Sequence, residues 1–489
     1  MTPTSTPSRA RTVVRWVGLL GGPLAAGLAY FLLPDSFVAS TGEMRELAVA
    51  GRVTSGLLLW MAIWWMTEAV AIEATSLLPI VVLPLSGAMG IASAAAPYAS
   101  PLIYLFLGGF LLALSMQRWG LDRRIALLTL KFVGTRPSNM IGGFMVATAV
   151  MSACVSNTAT VAMMVPIALR VSSLVGDGAG GNFRLSLLLS IAYAASIGGL
   201  ATIIGSPPNG FLAQYAGEQL GIEITFIGWL RIGLPLTVIF LPIAWLLLTR
   251  VLFQVAREPL AGGQELVQSQ LRELGPVRAG ELVTLFTFLL AVACWLTRPA
   301  LLRFIPSLTD AGISIAAGLL LFVLPVNRHG VRALDWKTAR RVPWGILVLF
   351  GGGLSLAAAM GDFGVGELIG SSARFIGGLH PLWVVFAVTL GVIFLTELTS
   401  NTATVATLVP LFTALAPSLG VHAIQLAIPT ALAASCAFML PVATPPNAIV
   451  FGSGYVPVPQ MMRAGVWLNV VAVLLISLMS HFIIAPRFL

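Results

Sequence analysis

Long apolar segments, separated by short polar connections, follow one another along most of this 489-residue chain. A helix needs about 20 apolar residues to cross the hydrocarbon core of a bilayer. Because the segments have about this length and carry few charges, they predict an all-α polytopic membrane protein with about 11 transmembrane helices. The predicted spans are 16–33, 53–70, 74–90, 101–120, 186–216, 228–250, 280–297, 310–326, 343–361, 422–452 and 464–485.

Two further apolar segments, 137–170 and 380–417, do not fit this scheme. Each is too long for one crossing and too short for two crossings with a connection, since a helix rises about 1.5 Å per residue. A re-entrant hairpin, which enters and leaves the membrane on the same side, explains that length. Arg136 and Arg170 bracket the first segment. We therefore expect both ends of the first hairpin to lie on the cytoplasmic side of the membrane. We expect both ends of the second hairpin to lie on the outer side.

The composition favours a membrane location, and the charge pattern predicts the orientation. Hydrophobic residues make up 58% of the chain and charged residues 9%, whereas soluble domains carry about 25% charged residues. With a cytoplasmic N-terminus, most of the 27 Lys and Arg residues fall on the cytoplasmic side, as the positive-inside rule requires. The apolar run Trp16–Leu33 is too long for a signal peptide. We therefore predict a retained first span in a multi-pass protein of the cell inner (plasma) membrane.

One part of the chain repeats another. Ser156–Ala162 and Ser400–Ala406 share the sequence Ser-Asn-Thr-Ala-Thr-Val-Ala without a mismatch, and the loops Ser206–Asn209 and Thr444–Asn447 both contain Pro-Pro-Asn. An odd number of predicted spans separates the two copies, which inverts the second copy relative to the first. Inverted repeats with interrupted helices are typical of secondary transporters, which bind substrate near the membrane midplane.

The repeat divides the chain into regions, each copy having one hairpin and one helix broken by paired prolines. The predicted regions are an N-terminal tail with the first span (1–50), a first inverted repeat (51–252, hairpin 137–170, broken helix 186–216), a cytoplasmic linker (253–279) and a second inverted repeat (280–489, hairpin 380–417, broken helix 422–452).

The repeated motifs combine hydroxyls, side-chain amides, glycines and prolines but contain no basic residue. Asn and Thr can donate hydrogen bonds to a carboxylate, and helix N-termini at the two Ser-Asn-Thr tips would add N–H groups and a positive dipole end. Paired prolines free upstream carbonyls, which with hydroxyl oxygens suit an alkali cation. Because an anion bound without Lys or Arg needs other positive charge, the motifs predict bound Na⁺ ions, two or more, beside the substrate.

Three carboxylates are further candidates. Glu397 precedes the second tip, and an ionisable residue inside a membrane is a candidate for function, including proton transfer. However, Ala153 stands at the matching position of the first copy, so we favour a structural, hydrogen-bonded role for Glu397. Glu68 and Glu73 bracket a short turn after the second span, and a turn or interface role is the simpler interpretation of both.

Several other classes of function lack support in the sequence. The three cysteines and four histidines are scattered singly, so we expect neither a disulfide framework nor a zinc site. The net charge of +9 accompanies no basic face or aromatic-basic module, so nucleic acid is not an expected partner. No His-Glu-x-x-His or paired-Asp motif is present, so we do not expect an enzyme, and a channel would need a continuous pore.

At the repeated motifs the sequence resembles the divalent anion/sodium symporter family, the INDY-type di- and tricarboxylate transporters of a solute-carrier group. The matching residues are the two Ser-Asn-Thr tips, the loops Gly205–Asn209 and Ala443–Asn447, and the segment Trp64–Ala69. The resemblance implies a homodimer held together by a scaffold domain. It also implies a transport domain that carries both hairpins and both broken helices across the membrane as an elevator.

The resemblance further implies which residues contact each ligand. The first sodium site would use Ser152, Ser156, Asn157 and Gly205, and the second would use Thr396, Ser400, Asn401 and Ala443. The substrate carboxylates would meet Asn157, Thr158, Ser206, Asn401, Thr402, Thr444 and Pro445. Ser206 departs from the family pattern, which usually has Thr, so the hydroxyl is kept while the width of the pocket is in doubt.

The function expected from the resemblance is Na⁺-coupled symport of a C4-dicarboxylate such as succinate, malate or fumarate. A dicarboxylate or citrate exchanger is the alternative within the same family. A sulfate transporter is a third possibility, since Ser and Thr donors also suit a tetrahedral oxyanion.

Overall fold

The computed structural model describes residues 9–38, 43–134, 136–173, 180–255, 263–372 and 379–488. The start of the predicted tail (1–8) and part of the predicted linker (256–262) lie outside these residues. Most of the described chain is helical, in agreement with the predicted all-α class. The helices of the first half are α1 (Arg9–Leu32), α2 (Val49–Thr67), α3 (Ile72–Thr75), α4 (Leu78–Leu85), α5 (Ile91–Ala95), α6 (Pro101–Trp119), α7 (Leu121–Lys131), α8 (Pro137–Ser152), α9 (Asn157–Ser172), α10 (Gly180–Gly199), α11 (Pro207–Gln219) and α12 (Phe226–Leu246).

The second half continues the helical pattern. Its helices are α13 (Gly263–Leu274), α14 (Ala279–Leu301), α15 (Asp310–Val323), α16 (Trp336–Ala339), α17 (Trp344–Asp362), α18 (Val365–Ser372), α19 (Pro381–Thr396), α20 (Asn401–Leu415), α21 (Ala423–Ala434), α22 (Pro445–Gly452), α23 (Val458–Met479) and α24 (Ala485–Phe488). A short antiparallel pair, β1 (Ser36–Val38) and β2 (Met44–Glu46), joins α1 to α2. The sequence analysis did not predict these two strands.

Seven helices within the described residues are long and apolar enough to cross a membrane, by length and composition. They coincide with seven of the predicted spans and are Val13–Leu32, Val49–Thr67, Ile91–Trp119, Phe226–Leu252, Ala279–Leu301, Trp344–Asp362 and Val458–Ile484. The remaining predicted spans, 74–90, 186–216, 310–326 and 422–452, coincide with shorter or interrupted helices. The total of about 11 crossings therefore stays a prediction.

The predicted span 74–90 is not one helix. It contains the end of the short helix α3 and the whole of α4, and α5 begins only after it, at Ile91. Pro84 lies in the last turn of α4, and Gly87 follows with a φ of 72°, a left-handed conformation that glycine adopts without steric cost. The hydropathy of the segment is high enough for a span, but these residues stop a continuous helix.

The two segments that did not fit a single crossing each form a helix–turn–helix. Helices α8 and α9 are joined by the turn 153–156, and α19 and α20 by the turn 397–400. The first two helices have 16 residues each, or about 24 Å, which is shorter than a hydrocarbon core of about 30 Å. That length suits a re-entrant hairpin, although entry from one membrane side remains a prediction.

Both predicted broken helices are interrupted next to their paired prolines. Helix α10 ends at Gly199 and α11 begins at Pro207, while α21 ends at Ala434 and α22 begins at Pro445. Close packing holds α10 against the first hairpin, since a Cβ added to Gly198 would overlap the backbone of Ala149. The first hairpin and the first broken helix are therefore in direct contact.

A buried ion pair holds the end of the predicted linker 253–279 against α7. Arg124 of α7 forms a salt bridge with Glu281 of α14, and their side chains are only 11% and 3% exposed. The same guanidinium donates to the carbonyl oxygens of Gly275 and Pro276 at 3.1 and 3.3 Å, and Glu281 accepts from the backbone N–H of Arg278. The end of the linker is thus bound to α7 through one arginine.

We predict that Glu281→Ala lowers the free energy of unfolding by about 3–5 kcal/mol, because it leaves the Arg124 guanidinium buried without an anion. The exposed pair Arg45–Glu367, with side chains 51% and 40% exposed, provides the control. Glu367→Ala should cost no more than about 1 kcal/mol. Thermal unfolding of the purified variants in detergent measures both effects, and equal shifts would contradict the assignment of Arg124 as a buried anchor.

Candidate functional site

The two halves of the repeat enclose one cavity of about 900 Å³. Its wall contains both Ser-Asn-Thr tips and both Pro-Pro-Asn loops, which are far apart in the sequence. The structure thus brings together all the residues predicted to contact substrate, namely Asn157, Thr158, Ser206, Asn401, Thr402, Thr444 and Pro445. Small-molecule sites commonly have volumes of about 300–1,000 Å³, so the cavity has the size of a ligand site.

Four helix N-termini open at this cavity. Helices α9 and α20 begin at Asn157 and Asn401, and helices α11 and α22 begin at Pro207 and Pro445. The N-terminus of a helix carries a partial positive charge and unpaired N–H groups. The cavity therefore has a positive character that comes from the backbone and would attract an anion.

Charged side chains contribute little to this wall. None of the lining residues that the structure describes is Lys, Arg or His, and the charged side chain among them is the carboxylate of Glu68. Helix dipole ends are equivalent to about half a unit charge each. Four such ends together supply about two positive charges, and the carboxylate of Glu68 in the same wall offsets part of them. An anion with two charges would therefore be only partly compensated by the protein itself.

The helices that begin with paired prolines, α11 and α22, have fewer N–H donors at their starts than α9 and α20 have. Since Pro207 and Pro208 have no N–H group, α11 offers fewer donors at its start than α9 does. The upstream carbonyls are held instead by Asn209, whose amide donates to the oxygens of Gly199 and Thr202 at 2.9 and 2.8 Å. These bonds fix the loop between α10 and α11.

The second copy repeats this arrangement. The amide of Asn447 donates to the oxygens of Ala437 and Leu440 at 3.1 and 3.0 Å, as Asn209 does in the first loop. The two loops also meet, because the hydroxyls of Ser206 and Ser435 lie 3.0 Å apart. The asparagine of each Pro-Pro-Asn motif is thus a structural residue that shapes the loop.

Of the residues predicted to bind cations, Ser156, Gly205, Ser400 and Ala443 line the cavity together with Asn157 and Asn401. Ser152 and Thr396 do not line it and are fully buried beneath the tips. The Ser152 hydroxyl lies within hydrogen-bond distance of Oδ1 of Asn157 and of the Ala195 oxygen, and the Thr396 hydroxyl lies 2.9 Å from Oδ1 of Asn401 and 3.0 Å from the Ala434 oxygen. Each hydroxyl has one proton, which it shares between these two acceptors. Each hydroxyl orients the asparagine of its own tip and ties that tip to a broken helix.

Backbone oxygens converge around Gly205. A Cβ added there would lie 2.7 Å from the oxygen of Gly199 and 3.1 Å from the oxygen of Ala153. A Cβ added to Gly199 would in turn lie 3.0 Å from both amide atoms of Asn157. Carbonyl, amide and hydroxyl oxygens in one small space are the ligands that a hard cation prefers, so these residues fit an alkali cation.

Glu68 lies at the turn that the sequence predicted after the second span. It ends α2 with a φ of 47°, a left-handed conformation that is uncommon outside glycine, and its side chain lines the cavity. The interpretation of Glu68 as a turn residue was therefore incomplete. An acidic residue at the end of a predicted span is the signal that pointed to it.

Other lining residues carried no functional signal of their own. Phe106 and Gly109 of α6, Val14 of α1 and Ile346 of α17 belong to ordinary apolar helices in the sequence. They reach the cavity because their helices pack around the repeated motifs. Only the three-dimensional arrangement identifies them as part of the wall.

Glu397 is buried behind the second tip, with 3% exposure. Its oxygens accept hydrogen bonds from the backbone N–H groups of Phe438, Met439 and Leu440 at 2.8–3.0 Å. The amide of Asn469 on α23 donates to it at 2.8 Å. The hydrogen-bonded environment that the sequence analysis favoured for Glu397 is therefore present.

Solved structures with the same fold support the overall architecture. The crystal structure of the Alcanivorax borkumensis YdaH transporter aligns with a TM-score of 0.61 and 14% identity, covering 97% of this chain and 98% of that one. The Neisseria gonorrhoeae MtrF structure, titled as illuminating a class of antimetabolite efflux pumps, aligns with a TM-score of 0.58 and 11% identity, covering 97% and 95%. At these identities the likeness concerns the fold alone.

Sequence relatives are much closer. The chain is 39% identical over 494 residues to a sodium-dependent dicarboxylate transporter, SdcS, of Staphylococcus saprophyticus, covering 98% of this chain and 93% of the relative. It is 40% identical over 481 residues to the protein of that name from Staphylococcus aureus strain USA300, covering 96% and 91%. The family model described as the sodium:sulfate symporter transmembrane region matches residues 23–484. These matches confirm the resemblance found in the sequence, and the chain belongs to the sodium:sulfate symporter family.

Proposed function

We propose that this multi-pass membrane protein is a secondary active transporter that couples the movement of Na⁺ to the uptake of a C4-dicarboxylate. The observation that carries the proposal is the cavity in which both tips and both Pro-Pro-Asn loops meet, with no basic side chain among its described lining residues. Such a cavity favours an anion through helix N-termini and needs cations to complete the charge. The staphylococcal relatives, named sodium-dependent dicarboxylate transporters, support the same substrate and the same coupling ion.

The pseudo-symmetry of the cavity favours a substrate with two carboxylates. Each tip offers an asparagine and a threonine, Asn157 and Thr158 on one side and Asn401 and Thr402 on the other. A C4-dicarboxylate presents one carboxylate to each tip, with Ser206, Thr444 and Pro445 bordering the space between. A sulfate ion is a single tetrahedral group and would engage one tip better than both.

We assign one Na⁺ ion to each copy of the repeat, so that at least two ions accompany the substrate. The first would be held by oxygens of Ser152, Ser156, Asn157 and Gly205, and the second by those of Thr396, Ser400, Asn401 and Ala443. Because Asn157 and Asn401 belong to both ligand sets, cation binding would order the donors that the dicarboxylate needs. This shared use of two residues gives a physical basis for coupling.

The cavity is proposed to face the cytoplasm. Its wall includes Glu68 at the end of α2 and Pro343 just before α17, and Pro343 follows the basic pair Arg340–Arg341. Under the positive-inside rule this end is cytoplasmic, with the N-terminus on the same side of the plasma membrane. The structure would then represent an inward-facing state.

Alternating access is proposed to follow the elevator scheme of the family. The moving body would comprise the two hairpins (137–170 and 380–417) and the two broken helices (186–216 and 422–452), within the two inverted repeats 51–252 and 280–489. The first span and the linker 253–279 would remain with a scaffold that forms a homodimer. Transport rather than catalysis accounts for the site, because the proposed ligands are hydroxyl, amide and carbonyl oxygens.

Uptake of labelled succinate into proteoliposomes tests this proposal. An inward Na⁺ gradient should drive accumulation above equilibrium, and replacement of Na⁺ by K⁺ should abolish it. Unlabelled malate and fumarate should compete, whereas sulfate and citrate should compete weakly. Succinate uptake that is independent of Na⁺ and requires dicarboxylate inside the proteoliposomes would establish an exchanger instead. Saturable sulfate uptake without succinate uptake would establish a sulfate carrier.

A second prediction concerns the oxygen cluster at the proposed first sodium site. Gly205→Ala should reduce Na⁺-driven uptake at least about tenfold, because the new Cβ would lie 2.7 Å from the Gly199 oxygen and occupy the space of the cation. Ala443, which stands at the equivalent position, offers the matched control. Ala443→Gly removes a Cβ and should retain most of the activity. Comparable uptake by Gly205→Ala and the wild type would contradict the proposed cation site.

A further inference from the structure

Both broken helices carry a serine at the same place. Ala194-Ala195-Ser196 in α10 matches Ala433-Ala434-Ser435 at the end of α21. In each copy the buried hydroxyl beneath the tip also lies against the carbonyl oxygen of the alanine that precedes this serine. The two contacts are Ser152 to Ala195 at 2.8 Å and Thr396 to Ala434 at 3.0 Å. The two serines are therefore equivalent residues of the repeat.

The two serines differ in their hydrogen bonds. The Ser435 hydroxyl lies 3.0 Å from the hydroxyl of Ser206 in the loop of the other copy, and Ser435 is not among the described residues that line the cavity. Ser196 does line the cavity, and its hydroxyl has no hydrogen-bond partner among the residues that the structure describes. One hydroxyl of the pair is thus used within the protein, whereas the other is free.

The free hydroxyl opens into the cavity. Ser196 is only 3% exposed, yet its oxygen is not one of the unpartnered polar atoms that are sealed from solvent. The small exposed area of Ser196 therefore includes the oxygen, and the space that this residue borders is the cavity. Because a buried hydroxyl without a partner is destabilising, this group is a candidate for contact with a ligand.

The neighbours of Ser196 place it between one tip and the opposite loop. Gly199 lies one turn further along the same face of α10, and a Cβ added to Gly199 would lie 3.0 Å from both amide atoms of Asn157. Helix α10 also packs against α22, whose N-terminus follows Thr444. Since Ser435 reaches the loop of the other copy, the equivalence of the copies places Ser196 towards Thr444. Ser196 therefore lies beside the carboxylate that the first tip is proposed to hold.

Ser196 can also form a kind of hydrogen bond that a carboxylate does not need. A carboxylate only accepts hydrogen bonds, whereas a hydroxyl both donates and accepts. The Thr444 oxygen already accepts the N–H of Asn447 at 3.2 Å, and the Ser206 hydroxyl is paired with Ser435. Ser196 keeps both its proton and its lone pairs for a ligand, which matches a hydroxyl group on the substrate.

We propose that Ser196 is a substrate-binding residue that selects C4-dicarboxylates with a hydroxyl group beside one carboxylate, the class to which malate belongs. This inference rests on the proposed function. The hydroxyl-bearing carbon lies at the first tip, and its hydroxyl forms a hydrogen bond with Ser196. The second copy offers no equivalent group, because Ser435 is paired with Ser206. A site that is otherwise nearly symmetrical thus holds malate in one orientation.

Uptake of malate and succinate by Ser196→Ala in proteoliposomes tests this inference. Alanine removes one oxygen atom and is a strong helix former, so α10 should be retained. The KM for malate should rise about tenfold, the effect of losing one hydrogen bond to a bound ligand. The KM for succinate and the Na⁺ concentration for half-maximal uptake should stay within about twofold of the wild type. The wild type should prefer one enantiomer of malate, and the variant should lose most of that preference.

Ser190→Ala is the matched control. Ser190 lies on the same helix, is fully buried and donates to the Leu187 oxygen at 2.7 Å, and it is not among the described lining residues. Its replacement should leave both KM values and the preference for one enantiomer unchanged. Ser435→Ala removes the partner of Ser206 and should affect malate and succinate equally. A selective loss of malate in Ser435→Ala instead of Ser196→Ala would overturn the assignment of the substrate hydroxyl to the first tip.

The outcomes separate this inference from the proposed function. Unchanged KM values in Ser196→Ala, or an equal rise for malate and succinate, would overturn the selection of a substrate hydroxyl. A rise confined to the Na⁺ concentration for half-maximal uptake would make Ser196 a cation ligand instead. The comparison of malate with succinate does not depend on which ion drives uptake. A wild type that transports both without Na⁺ would therefore overturn the coupling and leave the test of Ser196 intact, whereas uptake of neither dicarboxylate would overturn both proposals.

Discussion

The proposed function depends on one electrostatic constraint, which is the binding of an anion inside a membrane protein at a cavity with no basic side chain among its described lining residues. Removing a carboxylate from water is costly unless charge and hydrogen bonds replace its hydration. Here the replacement comes from backbone N–H groups and dipoles at four helix N-termini around one cavity. In the proposed function the carboxylate of Glu68 offsets part of the charge that these dipoles supply, so cations complete the anion site. In that function, coupling to Na⁺ follows from this need for cations.

The same constraint explains why the helices must be interrupted at this depth. A helix N-terminus can face the cavity only if another segment ends or unwinds there, and unwound backbone in a membrane needs its own partners. Asn209 and Asn447 provide them by binding two carbonyls each. Ser152 and Thr396 then connect each tip to the broken helix of the same copy. Binding groups and structural hydrogen bonds are therefore parts of one network.

Much of this site could be predicted from the sequence, because its residues occur twice. The matched tips and Pro-Pro-Asn loops located the cavity, and the spacing of Ser152 and Thr396 before their tips marked them as a pair. The fold was harder to predict where a segment has the hydropathy of a membrane span but contains residues that interrupt a helix. Segment 74–90 has the hydropathy of a span, yet its prolines and glycines divide it into short helices.

Other features depended on contacts between distant residues. Glu68 lies far from both tips in the chain, and only the packing of α2 against the repeat brings it into the cavity wall. The exchange of Ala153 for Glu397 was visible in the repeat, but its partners were not. They depend on α21 ending at Ala434, within a run of small residues that carries no helix-stop signal.

Departures from the repeat are as informative as the repeat itself. Two identical halves would give two equivalent cation sites, and neither ion would be favoured to bind first or leave last. The chain keeps the oxygen ligands matched but differs around them, with Gly205 against Ala443 and Ala153 against Glu397. In the proposed function the matched residues supply the ligands on both sides of the cavity, and the unmatched ones make the surroundings of the two cation sites different.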